Sequence, residues 1–150
     1  MRPRLTIAMR AAYARTAYEA AGIVTRIGRR SAALDALLLE RGVRNAGFVT
    51  AWNPYSRPMP RGWNDRMLER LRQAARGHVL AEGWGRGRFW GEEHLLLAGD
   101  PRWIAAIARR FRQHALVMVA PRHPARIVPG LRPPMTPAEK RPRSAVELGG

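Results

Sequence analysis

Cysteine is absent from the 150 residues, which removes disulfides and thiolate chemistry of every kind. Lysine is nearly absent too, Lys140 being its sole representative. No apolar run approaches the roughly 18 residues that a membrane-spanning helix requires. The opening MRPRLTIAMRAAYART has basic flanks like those of a secretion signal. Arg10 and Arg15 interrupt its apolar stretch, however, and no small-residue cleavage site follows. It reads as a helix, and the protein as cytoplasmic with no membrane partner. The histidines are His78, His94, His114 and His123, without the paired spacing of a zinc site, so no metal and no cofactor is expected. GWGRGRFWG lacks the Gly-Lys-Ser/Thr ending of a phosphate loop. A strand follows it instead of a helix, so it is no dinucleotide fingerprint either. GxSxG is missing, and with it an esterase elbow.

Positive charge is in excess. The formal net charge is +16, which favours nucleic acid or another polyanion as partner. A second account competes with that one. The basic residues are nearly all arginine, and alanine, glycine and proline are abundant as well, the composition that GC-rich coding DNA produces. The charge therefore supports an anionic partner without establishing one.

Apolar residues make up 46% of the chain, enough for one domain with a buried core. Residues 9–17 are good helix formers. YEAAGIVTRIG alternates with a period of two and reads as one strand ended by Gly28. Ser31 is an N-cap, Leu34, Leu37 and Leu38 follow at helical spacing, and Gly42 stops that helix. The stretch from Gly47 to Trp52 reads as a strand. Pro54, Pro58 and Pro60 then force an irregular loop. Asn64, Leu68, Leu71 and Ala75 share a face of the next helix. HVLAE is a short strand, GWGRGRFWGEE a glycine-rich loop, and HLLLAG a central strand. Asp100-Pro101 opens a helix with Ile104, Ile107, Ala108 and Phe111 as its stripe. HALVMVA is another central strand and ARIV an edge strand.

This pattern implies an α+β or mixed α/β layered domain, with a mixed sheet of about five strands and about four helices. Residues 1–8 form an N-terminal tail, 9–128 the globular domain, and 129–150 a disordered Pro/Arg-rich tail.

RIG, LDALLLERGVRNAGFVTAWNPYS, the downstream Asn64, EEHLLLAG and RRFRQHALV occur in one order. Together they resemble the bacterial family called domain of unknown function 3293, over roughly Ala12 to Val128. The resemblance implies a compact domain and no particular activity. The chain departs from it twice. The family usually has Glu-Pro-Ser near Glu93-His94-Leu95, and Phe-Gly-Gln where Phe111-Arg112-Gln113 stands.

Several polar residues interrupt or border apolar elements. Asn53 ends a strand, Asn64 sits on an apolar helix face, Glu93 enters a buried strand, and Gln113 precedes another. Buried amides and carboxylates must find partners. Each is therefore either a structural tie or a ligand contact, and Arg26 is one possible ion-pair partner for Glu93. Thr50 and Trp52 share a strand face, with Trp52 in the core. In the glycine-rich loop, Arg86 and Arg88 lie among Trp84, Phe89 and Trp90, a set able to stack on bases.

The function expected is a small binding domain for an anionic ligand, a nucleotide or nucleic acid, with Asn53, Asn64, Glu93 and Gln113 converging. The alternatives are a small enzyme with Glu93 as acid or base, and an interaction protein acting through its basic tail.

Overall fold

The helices form where the caps stand. In the computed structural model, which describes residues 5–130, α1 (Ile7–Arg15) starts at Thr6, whose hydroxyl accepts from the Met9 amide. Ser31 caps α2 (Ala32–Glu40) through the Leu34 amide. Asp100 caps α4 (Pro101–Arg110) through the Arg102 amide. Pro60 stands directly before α3 (Arg61–Ala74). It has no amide proton to leave unsatisfied at a helix start.

The strands are β1 (Ala17–Ala20), β2 (Ile23–Thr25), β3 (Ala46–Val49), β4 (Val79–Arg86), β5 (Gly91–Ala98), β6 (Ala115–Val119) and β7 (Arg126–Pro129). They form one sheet in the order β2-β1-β4-β5-β3-β6-β7, and every neighbouring pair is antiparallel. The domain is therefore α+β, with seven strands rather than about five, and its sheet is not mixed.

One local event adds a strand and another lengthens two that were expected. YEAAGIVTRIG is a hairpin instead of a single strand, because Ala21 and Gly22 both take positive φ (52° and 75°). That is the geometry of a tight type I′ turn. Alanine is uncommon there, so the turn carried little sequence signal. GWGRGRFWGEE is mostly strand as well, since β4 runs through Arg86 and β5 begins at Gly91. β7 adds an edge that reaches Pro129. Residues 131–150, most of the expected tail, lie outside the described residues, as do residues 1–4. α1 begins two residues inside the expected N-terminal tail.

The antiparallel result also follows from the connections. The helix α3 links β3 to β4, which run parallel to each other, but β5 is inserted between them. The helix α4 links β5 to β6 in the same way, with β3 between. Each crossover skips one strand, which is the split βαβ arrangement of a ferredoxin-like core. The hairpin β1–β2 widens that core on one side and β7 on the other.

The two faces are covered differently. On one, Leu68 and Leu71 of α3 and Ile104 and Ile107 of α4 pack on Val49, Leu95, Leu97 and Leu116. On the other, Leu34 and Leu38 of α2 pack on Tyr18, Phe48, Leu96 and Val117. The sheet curls toward this second face. Ile27 forms an isolated bridge with Ala125, and the Gly28 amide donates to the Ala125 carbonyl at 2.8 Å, so the two edges meet. Ile27 and Ala125 belong to the same cluster as Phe48 and Leu96, which makes this the inner face.

Arg112 explains one departure from the family pattern. Its φ of 57° is left-handed, the region glycine favours. The Gln113 amide reaches back to the Ala108 carbonyl at 3.0 Å, so the turn that closes α4 is kept without glycine.

Gly83 allows β1 to approach β4. A Cβ at this position would lie 2.0 Å from the Glu19 carbonyl oxygen, a backbone atom that cannot step aside. Gly83→Ala is expected to cost at least about 2 kcal/mol and to expose the β1–β2 amides to hydrogen exchange. Gly62→Ala, in the first turn of α3, is expected to stabilise by about 0.5–1 kcal/mol. Urea unfolding of both variants checks the pair, and a neutral Gly83→Ala would contradict this packing.

Candidate functional site

The chain leaving β3 is tied down residue by residue. The Thr50 hydroxyl donates to the Glu93 carbonyl at 2.5 Å and accepts from the Trp52 amide at 3.1 Å. Asn53 then turns left-handed with φ 46°, and Tyr55 and Ser56 follow at 49° and 63°. Three non-glycine residues in this region are a local store of strain, of order 1 kcal/mol or more each, and Asn64 offsets it. Its side-chain oxygen accepts from the Asn53 amide at 3.0 Å. Its NH2 donates to the Asn53 side-chain oxygen at 3.0 Å and to the Met59 carbonyl at 3.3 Å. Met59 completes the clasp by donating its amide to the Asn53 side chain. Asn64 is thus a structural tie for the proline loop. Gln113 plays a similar part, donating to the Trp52 and Phe111 carbonyls at 3.0 and 3.2 Å.

The carboxylate that meets Asn53 is Glu92. The Asn53 NH2 donates to Glu92 Oε1 at 3.0 Å. Glu93 points to the opposite face, where Arg61 of α3 donates to it at 3.3 Å. Neighbouring strand residues face opposite sides, so a difference of one position exchanges a surface ion pair for an interior acid. Arg26 is not the partner of Glu93. Its guanidinium donates to the Arg15 carbonyl at 3.3 Å.

Glu92 shares the inner face with His94. Together with Tyr13 of α1, Thr16 at its C-cap, Tyr18 of β1 and Phe48 of β3, they line a cleft of about 240 Å³. Asn53, Ser56, Gln113 and Trp90 reach its rim and walls. His94 is buried, and an added Cβ at Gly85 would come within 2.7 Å of its ring. Glycine at this position of β4 therefore makes room for the imidazole. Tyr18 meets that ring edge-on, with centroids 5.7 Å apart.

Burial dominates the proton affinities here. It lowers His94 from 6.5 to about 4, against the opposing effect of the Glu92 carbonyl. The ring is accordingly neutral near pH 7. Its Nδ1 lies 2.9 Å from that carbonyl, which can only accept, so Nδ1 carries the proton and Nε2 is an acceptor. Burial raises Glu92 above the ordinary carboxylate value, with the Asn53 hydrogen bond working the other way. Burial, aided by the charge of Glu92, raises Tyr13 to about 12. Tyr18 is raised by the same dominant cause.

The glycine-rich loop splits between the two faces. Trp84 packs edge-on against buried Trp52, centroids 5.8 Å apart, and Arg86 lies over Trp84 at 4.9 Å, both on the outer face. Trp52 thus sides with Val49 and Ala51 in the outer core. Thr50 faces the cleft, so the two do not share a face, because β3 and its alternation end at Val49. Arg88 lies over exposed Phe89 at 5.3 Å. With Trp90, Arg15, Arg26 and Arg29 these two residues border a shallow surface groove. Thr16 and Trp90 line both groove and cleft, so the two adjoin. A second groove at the other end of β3 and β6 is lined by Val43, Pro121 and Pro124 together with Arg44, Asn45, His123 and Arg126, and holds no carboxylate.

Residues 49–116 match the family model described as Protein of unknown function (DUF3293). Over that segment the chain is similar to this family. No curated protein and no solved structure matches the chain. The DUF3293 segment spans the end of β3, the Asn53–Asn64 clasp, Glu92, His94 and Gln113. The cleft wall formed by α1 and β1, and the arginines at positions 15, 26 and 29, stand outside it.

Sequence reasoning missed Glu92 and His94. The available signal was their spacing: two titratable residues two apart in an otherwise apolar strand put both on one face. Tyr13 and Tyr18 left no such trace. Among the described residues, no helix is long and apolar enough to cross a membrane, and no group of three or more His, Asp or Glu is placed to hold a metal ion.

His94 links this site to stability. Its folded pKa lies below its unfolded value of 6.5, so its contribution is complete above pH 6.5 and is lost as pH falls toward about 4. The loss amounts to about 3 kcal/mol at most. Glu92, shifted upward, has the opposite sign and offsets part of it. Urea unfolding at pH 7 and near pH 4 is expected to show a smaller acid loss in His94→Phe than in the parent chain. Equal losses would contradict a buried neutral imidazole.

Proposed function

We propose that this chain is a binding domain for a small anionic ligand. The neutral end of the ligand enters the cleft beneath Trp90, and its anionic end rests on the arginine groove. The observation that carries the reading is adjacency: the interior cleft and the groove bearing Arg15, Arg26, Arg29 and Arg88 share Thr16 and Trp90 as lining residues. None of these four takes part in a salt bridge among the described residues. Guanidinium groups without carboxylate partners bind phosphate or carboxylate through charge-assisted hydrogen bonds.

Size favours a small ligand over a nucleic-acid strand. The cleft, about 240 Å³, is below the roughly 300–1,000 Å³ of a drug-sized pocket. It takes one ring or a short chain, and the rest of the ligand lies outside. Trp84 and Arg86, two of the residues expected to stack on bases, face away from it.

A second reading is a small enzyme, and a specific observation favours it. A carboxyl raised by burial, inside a cleft and hydrogen-bonded to an amide, is placed as a general acid or base. In that reading the acid is Glu92 instead of Glu93.

The binding reading predicts that nucleoside 5′-monophosphates and ribose 5-phosphate bind, with affinity falling as salt rises. Arg26→Ala combined with Arg88→Ala should weaken binding about tenfold or more. Arg44→Ala with Arg126→Ala, at the far groove, should leave it unchanged. Isothermal titration at low and high salt measures both. Equal losses in the two double variants would reduce the effect to overall charge and remove the arginine groove from the proposal.

A further inference from the structure

The hydrogen-bonding capacity of the cleft is not fully met within the protein. Both side-chain amides at its wall donate within the protein, while one Asn53 N–H and the Tyr18 hydroxyl have no acceptor among the described residues. The Asn53 NH2 goes to Glu92, and the Gln113 NH2 goes to the Trp52 and Phe111 carbonyls. The Tyr13 hydroxyl is directed at the Ala115 carbonyl. Acceptors are left over. The second oxygen of Glu92 and the Nε2 of His94 have no hydrogen-bond partner among the described residues. Neither atom is among the fully enclosed ones lacking a partner, which are Thr25 Oγ1 and Trp52 Nε1. Both therefore keep access to the cleft.

A carboxylate has about four lone-pair sites and wants several donors when desolvated. Glu92 has one protein donor. Two inward acceptors at strand positions i and i+2 form a short row, so the group that satisfies them must carry hydrogen. At the mouth stands Trp90, 48% exposed. Its flat ring faces both cleft and groove, a surface on which a planar ring stacks.

We infer that the buried end of the ligand is a planar ring bearing an amino group, donated to Glu92 and His94, and that the ligand as a whole is an amino-bearing nucleoside phosphate. This rests on the anionic-ligand reading above, and extends it by specifying the end that reading leaves open. The ring lies under Trp90 with its amine inward. The sugar passes Thr16, and the phosphate reaches Arg26 and Arg88. A donor-bearing ring is discriminated strongly from its carbonyl analogue, because the analogue would set oxygen against a desolvated carboxylate.

The test is isothermal titration of the full chain with adenosine 5′-monophosphate, inosine 5′-monophosphate, adenosine and ribose 5-phosphate. The adenine nucleotide presents an amine where the hypoxanthine nucleotide presents a carbonyl. The former is expected to bind about tenfold or more tightly, a gap of about 1.4 kcal/mol. In Glu92→Gln, isosteric and checked for folding by circular dichroism, that preference should shrink to roughly threefold or less, since the amide offers the carbonyl a donor. Equal binding of the two nucleotides to the parent chain would overturn the inference while leaving the anionic reading in place. Adenosine binding as tightly as its monophosphate would overturn the anionic reading and leave the amine preference standing. Putrescine displacing the adenine nucleotide at equal concentration would replace the planar ring by a bare amine and so overturn the proposal. Binding of none of the four compounds at millimolar concentration would overturn both.

Discussion

One side chain, Asn53, holds three segments together. Its oxygen accepts hydrogen bonds from the Met59 amide and the Asn64 side chain, and its NH2 donates one to Glu92. The loop after β3, the first turns of α3 and the start of β5 are thereby joined at a single amide. Few residue types accept on one side and donate on the other while tolerating left-handed backbone, and asparagine does all three. Tyr55 and Ser56 are also held by their own amides, which donate to the Arg112 and Asn53 carbonyls at 2.7 and 2.9 Å; without the clasp the carboxyl of Glu92 would lose its one protein donor.

The interior character of the cleft follows from the curl of the sheet. A flat seven-stranded antiparallel sheet would leave the Glu92–His94 row open to water. Here the β1–β2 hairpin and β7 bend until Ile27 meets Ala125. The inner face then becomes a shell closed by α2 along its length and by α1 at the cleft. Desolvation in this shell pushes His94 down and Glu92 and the tyrosines up. The mouth has the opposite character, with arginines in water beside a tryptophan. A ligand amphipathic in the same sense, neutral and planar at one end and anionic at the other, matches this gradient.

The DUF3293 match runs from the last residue of β3 to the start of β6, taking in the clasp, α3, β4, β5 and α4, and not the hairpin and helix that complete the cleft. The core supplies the acid and the imidazole on rigid strands, while α1, β1 and the groove supply the wall, the tyrosines and most of the positive charge.

The sequence by itself determined the local structure. Ser31, Asp100 and Pro101 start helices because their side chains or missing amide suit orphaned backbone groups, and the stripe of Ile104, Ile107 and Ala108 buries one face of α4. It also determined that Asn53, Asn64 and Gln113 would need partners, since buried amides cannot go unpaired. Tertiary structure decided the rest. Leu95, Leu96 and Leu97 are all fully buried, so the strand has no polar side to reveal its phase, and the sheet register alone turns Glu92 inward and Glu93 toward Arg61. The turn at Ala21-Gly22 depends on pairing with β4, not on turn chemistry. Tyr13, Tyr18, Arg26 and Arg88 meet across long sequence separations, where no periodicity extends. Neighbours on one strand or helix obey spacing, and neighbours across the sheet obey only packing.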